Sequence, residues 1–302
     1  MRQDDTALPE VGERELLWVD SDLESVEQLA PVWERLEVTD LVSDLTGRGD
    51  DPGLEQHGNV MHIKVKALNN EAEPITLHCL VGENWVVSLH HGALDLVDQF
   101  NEPFNGDTGI GELDGPSFLS MILDWQISGY FEVIEDVQAD IDRLDEELLR
   151  RFPNGDGLLD RLQDLRRRVR ELRTNLAPHR DLFELLSHPE SGSVLGSETA
   201  PSYQRLSHRL QTAMDAVDTT REMIVGSFDI FMTRTAQATN NIMKRLTTIS
   251  ILLLPAVVIA GIMGMNFRVA IFDTPWMFWV VLGLMAVLAG VTLLVAKRNK
   301  WF

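Results

Sequence analysis

Two apolar runs near the C-terminal end constrain the fold of this chain more than any other feature. Residues 246–263 are eighteen residues without a charge, and residues 276–296 are twenty-one. A helix needs about 20 apolar residues to cross a hydrocarbon core of roughly 30 Å. This length disfavours the alternative, two buried core helices of a soluble protein. The sequence therefore predicts two transmembrane helices joined by a short external loop, residues 264–275.

Charges beside the two runs predict the orientation of the chain in the membrane. Lys244 and Arg245 precede the first run, and the basic tail 297–302 follows the second. Lys and Arg accumulate on the cytoplasmic side of membrane proteins. Residues 1–10 are acidic overall and contain no apolar segment typical of a secretory signal. We therefore expect a multi-pass protein of the inner (plasma) membrane, with both termini in the cytoplasm.

The charge balance of the remaining chain excludes several classes of protein. Residues 241–302 hold six of the 26 Lys and Arg but only one of the 47 Asp and Glu, so the preceding part is strongly acidic. An acidic body repels a phosphate backbone, which argues against nucleic acid as a partner. The single cysteine, Cys79, excludes a disulfide scaffold and a Cys-rich zinc site. We find no phosphate-binding loop, nucleophile elbow or catalytic triad, so the sequence indicates neither an enzyme nor a bound cofactor.

Hydrophobic patterning divides the chain into successive segments. Short β-branched runs alternate with helical stretches in residues 1–115, which predicts a small α/β domain. Residues 116–202 favour an acidic antiparallel helix hairpin, and residues 203–245 a stalk helix that continues into the first span. The predicted fold class is an α+β cytoplasmic domain, followed by a long-helix stalk and two transmembrane helices.

One face of the predicted stalk and first span combines small, polar and flexible side chains. Steps of three and four residues place ten positions along this face. Polar residues within membrane spans tend to line cavities, so the stripe, which includes the acid Asp229 and the amide Asn240, is a candidate pore lining. Helix–helix packing through small residues and a chance arrangement would each produce such a stripe as well, and both remain open. The stripe comprises Asp229, Met232, Ala236, Asn240, Met243, Leu246, Ser250, Leu254, Val257 and Gly261.

Two clusters of metal-binding residue types are weaker candidates. The eight acids of residues 132–147 spread around a helix, which favours a solvated face over a metal site. His62, His78, His90 and His91 fall on or beside neighbouring predicted strands, but without a His-x-x-x-His spacing.

The segment 240–267, NNIMKRLTTISILLLPAVVIAGIMGMNF, resembles the CorA family of divalent-cation channels. The resemblance is carried by the run Asn-x-x-Met-Lys-x-Leu-Thr from Asn240, by a proline in the middle of the span, Pro255, and by the Gly-Met-Asn signature at its end. A second span and a basic tail follow, as in the family. The resemblance implies a funnel-shaped homopentamer in the lipid bilayer that imports divalent metal ions, above all Mg²⁺ and also Co²⁺ or Ni²⁺, driven by the membrane potential.

The resemblance also implies roles for individual positions. Gly264, Met265 and Asn266 would form the outer selectivity ring, in which Asn oxygens hydrogen-bond a hydrated ion. Asn240 would hold the ion again at the inner end of the span. Met243, Leu246 and Leu254 would be hydrophobic constrictions that gate by dewetting. Asp229 would form an acidic, metal-binding ring at the cytoplasmic mouth, whereas a solvated acid on the surface of the stalk remains the alternative for this residue.

Departures from the family pattern leave the transported ion and its regulation open. Met263 stands where an aromatic residue usually precedes Gly-Met-Asn, and the external loop has lost most of its usual acids. Arg205 replaces a regulatory acid of the stalk, with Asp95 and Asp98 as its candidate partners across a subunit interface. These departures favour a ZntB-like Zn²⁺ transporter, with proton coupling as an option, whereas the intact signature favours Mg²⁺. A non-conducting, membrane-anchored scaffold is a remote alternative.

Overall fold

A computed structural model describes residues 16–45, 51–92, 94, 96, 100, 114–150, 156–188, 196–265 and 274–298. These residues form two compact units. The first contains residues 1–144 and 155–226, and the second contains residues 145–154 and 227–302.

The first unit contains a five-stranded mixed sheet with the strand order β1-β5-β4-β3-β2. Strands β3, β4 and β5 form an antiparallel meander, and β1 pairs in parallel with β5. Their bounds are β1 Leu17–Asp22, β2 Gly53–His57, β3 Val60–Leu68, β4 Pro74–Val81 and β5 Trp85–His90.

Sequence patterning missed strand β2, which pairs antiparallel with β3 from His57 and Val60 outwards. Only Gly58 and Asn59 connect the two strands, and Gly58 has a φ of 61°. Two-residue hairpin turns need positive φ, so a glycine at this point is a recognisable hairpin signal. Strand β2 itself reads GLEQH, which carries too few apolar residues for a periodicity argument.

Short helices cover one face of the sheet. A 3-10 helix Leu23–Leu29 leads into α1 (Ala30–Arg35), and α2 (Thr39–Asp44) follows. These helices and the sheet share a buried cluster that includes Trp33, Val38, Leu80 and Val87. On the other face the ring of Trp18 lies 5.1 Å from that of Phe118, which belongs to the first long helix. The sheet is therefore buried on both faces.

Long helices form the rest of the described chain. They are α3 Gly115–Arg150, α4 Asp156–Leu176, α5 His179–Ser187, α6 Gly196–Met263 and α7 Pro275–Arg298. The stalk and the first apolar run are one unbroken helix, α6, as the sequence predicted. This helix begins at Gly196, seven residues earlier than the sequence indicated. Pro201 lies in its first two turns, where it removes only one early backbone hydrogen bond.

Within the first unit, helices α3, α4 and α6 pack through apolar residues spaced three or four positions apart. Helix α4 buries Leu158, Leu162, Leu165, Val169, Leu172 and Leu176 in this way. Polar pairs join the same helices: Gln138 of α3 donates to Thr220 of α6 (2.8 Å), and Arg168 of α4 donates to Asp140 of α3 (3.0 Å).

Side chains from the helices complete the backbone hydrogen bonding of β3 beyond the end of β2. Pairing with β2 stops at Lys64, opposite Gly53. Two residues further on, the Lys66 N–H donates to Nε2 of His179 (2.9 Å). The Lys66 carbonyl accepts from Gln126 Nε2 (2.8 Å) and from the Tyr130 hydroxyl (3.1 Å). These three side chains fix α3 and α5 against the sheet.

Candidate ion pathway

The C-terminal half of α6, within the second unit, has one covered face and one open face. Thr248 is buried, and Leu252, Pro255 and Ile259 are half-buried, at steps of three or four residues. Helix α7 shows a similar pattern, because Met277, Val281, Met285 and Ala289, spaced four residues apart, are among its half-buried residues. Each of the two helices thus has a single sheltered side.

All ten residues of the predicted stripe are exposed in the single chain. At 3.6 residues per turn, the positions from 246 to 261 lie about 180° around α6 from its covered face. Leu246, Leu254 and Val257 are 58%, 66% and 65% exposed, and with the exposed apolar residues around them they form a contiguous apolar surface of a kind that soluble proteins rarely carry. The exposed set is Asp229, Met232, Ala236, Asn240, Met243, Leu246, Ser250, Leu254, Val257 and Gly261.

The polar residues of this stripe are not equivalent in what they require of their surroundings. The Ser250 hydroxyl donates to the carbonyl of Leu246 (3.0 Å), so its polar group is satisfied within the helix. Among the polar residues of the stripe, Asn240 and Asp229 are therefore stronger evidence for a water-exposed surface than Ser250 is.

The described part of the Gly-Met-Asn signature ends helix α6. The Gly264 N–H donates to the carbonyl of Ala260 (2.9 Å), and that of Met265 donates to the carbonyl of Ile262 (3.2 Å). A Cβ atom on Gly264 would lie 3.4 Å from the Ala260 oxygen, an ordinary contact. Nothing in the described single chain thus demands glycine at this position. Met265 is 57% exposed, and Asn266 lies outside the described residues.

The predicted regulatory residue Arg205 lines an open groove of about 1060 Å³ in the first unit. Its guanidinium donates to the Ser202 hydroxyl (3.0 Å), one turn earlier on α6. Arg209, one turn further on, pairs with Asp124 and donates to Ser128 of α3. The proposed partners Asp95 and Asp98 lie outside the described residues, so the pairing stays a prediction.

The histidines of the sheet do not assemble a metal site among the described residues, where no group of three His, Cys, Asp or Glu could hold an ion. His62 Nε2 lies 3.1 Å from His78 Nδ1, with the two rings stacked. His90 Nε2 lies 3.4 Å from Asp20. Burial lowers the pKa of His90, but the hydrogen bond to Asp20 and its charge, together with the Gly92 carbonyl and the charge of Asp22, outweigh burial, so the pKa is raised.

Within the described residues, one helix is long and apolar enough to cross a membrane, the Thr199–Met263 stretch of α6. The apolar stretch Trp276–Thr292 of α7 is shorter.

The whole chain matches one protein family. Residues 13–298 match the family described as "CorA-like Mg2+ transporter protein". The chain belongs to the CorA family. CorA proteins are membrane transporters of divalent cations, so the resemblance drawn from the Gly-Met-Asn segment is confirmed at the level of the family.

Curated CorA relatives include both magnesium and zinc transport proteins. The cobalt/magnesium transport protein CorA of Thermotoga maritima is 28% identical over 86% of this chain and 76% of its own length. The zinc transport protein ZntB of Yersinia enterocolitica is 23% identical over 74% of this chain and 68% of its own. Identity at this level does not distinguish the two ions.

The fold is that of full-length CorA. The complete structure of the CorA magnesium transporter from Methanocaldococcus jannaschii superposes with a TM-score of 0.79, covering 98% of this chain and 95% of that one at 22% identity. The predicted fold class, an α+β domain followed by a long helix that becomes apolar, is confirmed.

Proposed function

We propose that this protein is a homopentameric channel that imports Mg²⁺, and also Co²⁺ and Ni²⁺, across the inner membrane. The observation that carries the proposal is the exposed stripe of α6, opposite its sheltered face. Five copies of such a face around one axis form a closed cyclic assembly and enclose a pore. The protein's similarity to magnesium transport proteins supports the choice of ion.

The topology proposed with this function has two spans and both termini in the cytoplasm. Residues 276–296 are uncharged over 21 residues, enough for a second crossing. Lys and Arg flank the two apolar runs on the sides away from the connecting loop, as the positive-inside rule requires.

In this proposal Gly264, Met265 and Asn266 form the outer ring. Mg²⁺ releases its water reluctantly, so a ring of carboxamide and backbone oxygens that hydrogen-bonds the hydrated ion suits it. Since the described chain itself does not demand glycine at 264, close approach of neighbouring copies supplies a reason for one. Asn240 binds the ion again, and Met243, Leu246 and Leu254 form the dewetting gate.

Proteoliposome flux tests the pathway. We expect Asn266→Ala and Asn240→Ala each to lower Mg²⁺ uptake about tenfold, because each removes hydrogen bonds to a charged species worth roughly 1.5–3 kcal/mol. Asn241→Ala is the matched control: it removes the same side chain from the adjacent exposed position, which is off the stripe. Equal uptake by the wild type and by Asn266→Ala and Asn240→Ala would exclude these side chains from the pathway and favour a scaffold.

The second candidate is a Zn²⁺ transporter of the ZntB type, which the similarity to ZntB proteins supports. Competitive uptake of Mg²⁺, Co²⁺, Ni²⁺ and Zn²⁺ by the purified protein, with and without a pH gradient, separates the two. Zn²⁺ uptake that requires a pH gradient, without Mg²⁺ flux, would establish the second candidate.

A further inference from the structure

The cytoplasmic ends of the two apolar helices carry a concentrated positive charge. Lys244 and Arg245 of α6 and Arg298 of α7 are exposed. In the described part of the chain none of the three forms an ion pair. The sequence adds Lys297, directly before Arg298. We call these four residues the basic layer.

Acids are too far from the basic layer on α6 to neutralise it. No Asp or Glu occurs in residues 230–272, so the nearest acid along α6 before Lys244 is Asp229. Fifteen helical residues separate the two, about 22 Å at 1.5 Å per residue. Charges separated by more than a Debye length, about 10 Å at 0.1 M salt, are largely screened from one another.

Acids of α3 also stop short of this layer. The carbonyl of Leu149 accepts from Arg234 (3.5 Å), which places the end of α3 beside this part of α6. Helix α3 runs parallel to α6, because within the first unit Asp124 pairs with Arg209 and Gln138, further along α3, pairs with Thr220, further along α6. Glu147 is thus level with Met232, about 18 Å from Lys244 along the axis. The described acids of α3 and α6 therefore leave this positive charge available to an anionic partner.

We infer that the basic layer binds the phosphate headgroups of anionic phospholipids in the cytoplasmic leaflet. The inference rests on the two-span topology proposed above, which returns both helix ends to one side of the membrane. Lys244 and Arg245 directly precede the uncharged run, and Lys297 and Arg298 directly follow the second one, so all four are placed at headgroup depth. Anionic lipids attract juxtamembrane Lys and Arg clusters, whereas zwitterionic lipids offer no net charge.

The test measures lipid selectivity of the full-length protein in bilayers of phosphatidylglycerol and phosphatidylcholine. Spin-labelled analogues of each lipid report the relative association constant at the protein surface. We expect phosphatidylglycerol to be preferred several-fold, with the preference falling as NaCl rises. Each neutralised cation should lower the preference by up to about fivefold, so the double variant Lys244→Gln/Arg245→Gln should lose most of it.

Arg268→Gln is the matched control, because it removes the same charge from the connection at the other end of the apolar runs. A preference that survives the double variant, or that Arg268→Gln removes equally, would overturn the inference. If the double variant does not fold, the phosphatidylglycerol preference of Arg298→Gln and that of the wild type at rising NaCl test the inference instead. A preference that neither change lowers would overturn it.

Two further measurements distinguish lipid binding from the capture of a soluble anion and from an inverted topology. Inorganic phosphate at millimolar concentration should not abolish the phosphatidylglycerol preference; if it does, a soluble anion occupies the layer and the inference fails. Labelling of the variant Phe302→Cys by an impermeant reagent only from the outside would overturn the topology and the inference with it. The flux assay would still report independently on transport.

Discussion

Lys66 and His179 join the sheet of the first unit to helix α5 through a hydrogen bond that depends on protonation. His179 Nε2 accepts from the Lys66 N–H, and its Nδ1 lies 3.1 Å from the carbonyl of Leu176. The neutral ring with its proton on Nδ1 satisfies both contacts. Burial lowers the pKa of His179 to about 4, although contacts to the backbone oppose this shift.

Acidification should therefore destabilise the first unit through His179. An unfolded histidine has a pKa of about 6.5, so the unfolded state binds the proton more tightly. The free energy of unfolding should fall as the pH drops below 6.5 and level off below 4, a loss of at most about 3 kcal/mol from this group. Denaturation midpoints at pH 7 and pH 4.5 measure this loss.

His179→Gln provides the comparison for this pH dependence. A glutamine oxygen can accept from Lys66 but does not titrate in this range. All other acids and histidines titrate in both proteins, so the difference between their pH profiles isolates His179. Identical profiles for the wild type and the variant would contradict the assignment.

The sequence identified the histidines of the strands but not His179. Its role depends on a contact with a residue 113 positions away, which no local pattern encodes. The signature residues could be identified because their information is local: Gly264, Met265 and Asn266 are consecutive, and the apolar run precedes them directly.

At the scale of elements, helix α6 was predictable because helix-forming residues follow one another along most of its length. Good helix formers continue from the stalk into the apolar run, and Pro255 does not end the helix in the structure. Strand β2 was missed because short, polar strands obtain their stability from their neighbour rather than from their own pattern. Which face of α6 is sheltered likewise required the three-dimensional structure, since several faces of an apolar helix look alike in sequence.

The two faces of α6 should differ in their access to water. We expect Ser250→Cys and Leu254→Cys to react with an impermeant, positively charged thiol reagent, and Leu252→Cys and Ile259→Cys to react far more slowly. A reagent attached to a stripe cysteine places a fixed positive charge in the narrow pore. This charge repels a dication by several kcal/mol at an effective dielectric constant near 20. Labelling of the stripe variants should therefore lower their Mg²⁺ uptake at least about tenfold.

Background from the native protein should be low in this experiment, because its one cysteine, Cys79, is fully buried. Burial raises the pKa of the Cys79 thiol to about 12, which leaves little reactive thiolate at neutral pH. Equal labelling on both faces would show that the stripe is not a separate aqueous surface.

At the scale of the whole molecule, the proposed channel obtains its driving force from the membrane and not from a bound nucleotide. A dication that crosses 100 mV gains roughly 4.6 kcal/mol, twice the value for a single charge. Clamping the potential of proteoliposomes from −100 mV to zero should lower the limiting Mg²⁺ accumulation by about three orders of magnitude. A pH gradient of either sign should leave it unchanged.

A potassium gradient together with a potassium ionophore sets the membrane potential in this experiment. The control is vesicles that contain the ionophore but have no potassium gradient. Their Mg²⁺ accumulation should equal that of vesicles clamped at zero potential. Accumulation that follows the pH gradient and ignores the potential would instead indicate proton coupling, as in the second candidate function.

The side chains that occupy the Lys66 backbone have a consequence for how the protein behaves at high concentration. A β-strand with open N–H and C=O groups is a template on which another chain can add a strand and begin an aggregate. Beyond the end of β2, His179, Gln126 and Tyr130 already use both groups of Lys66. The backbone of β3 at Lys66 is therefore not available for pairing with a strand of another molecule while α3 and α5 remain in place.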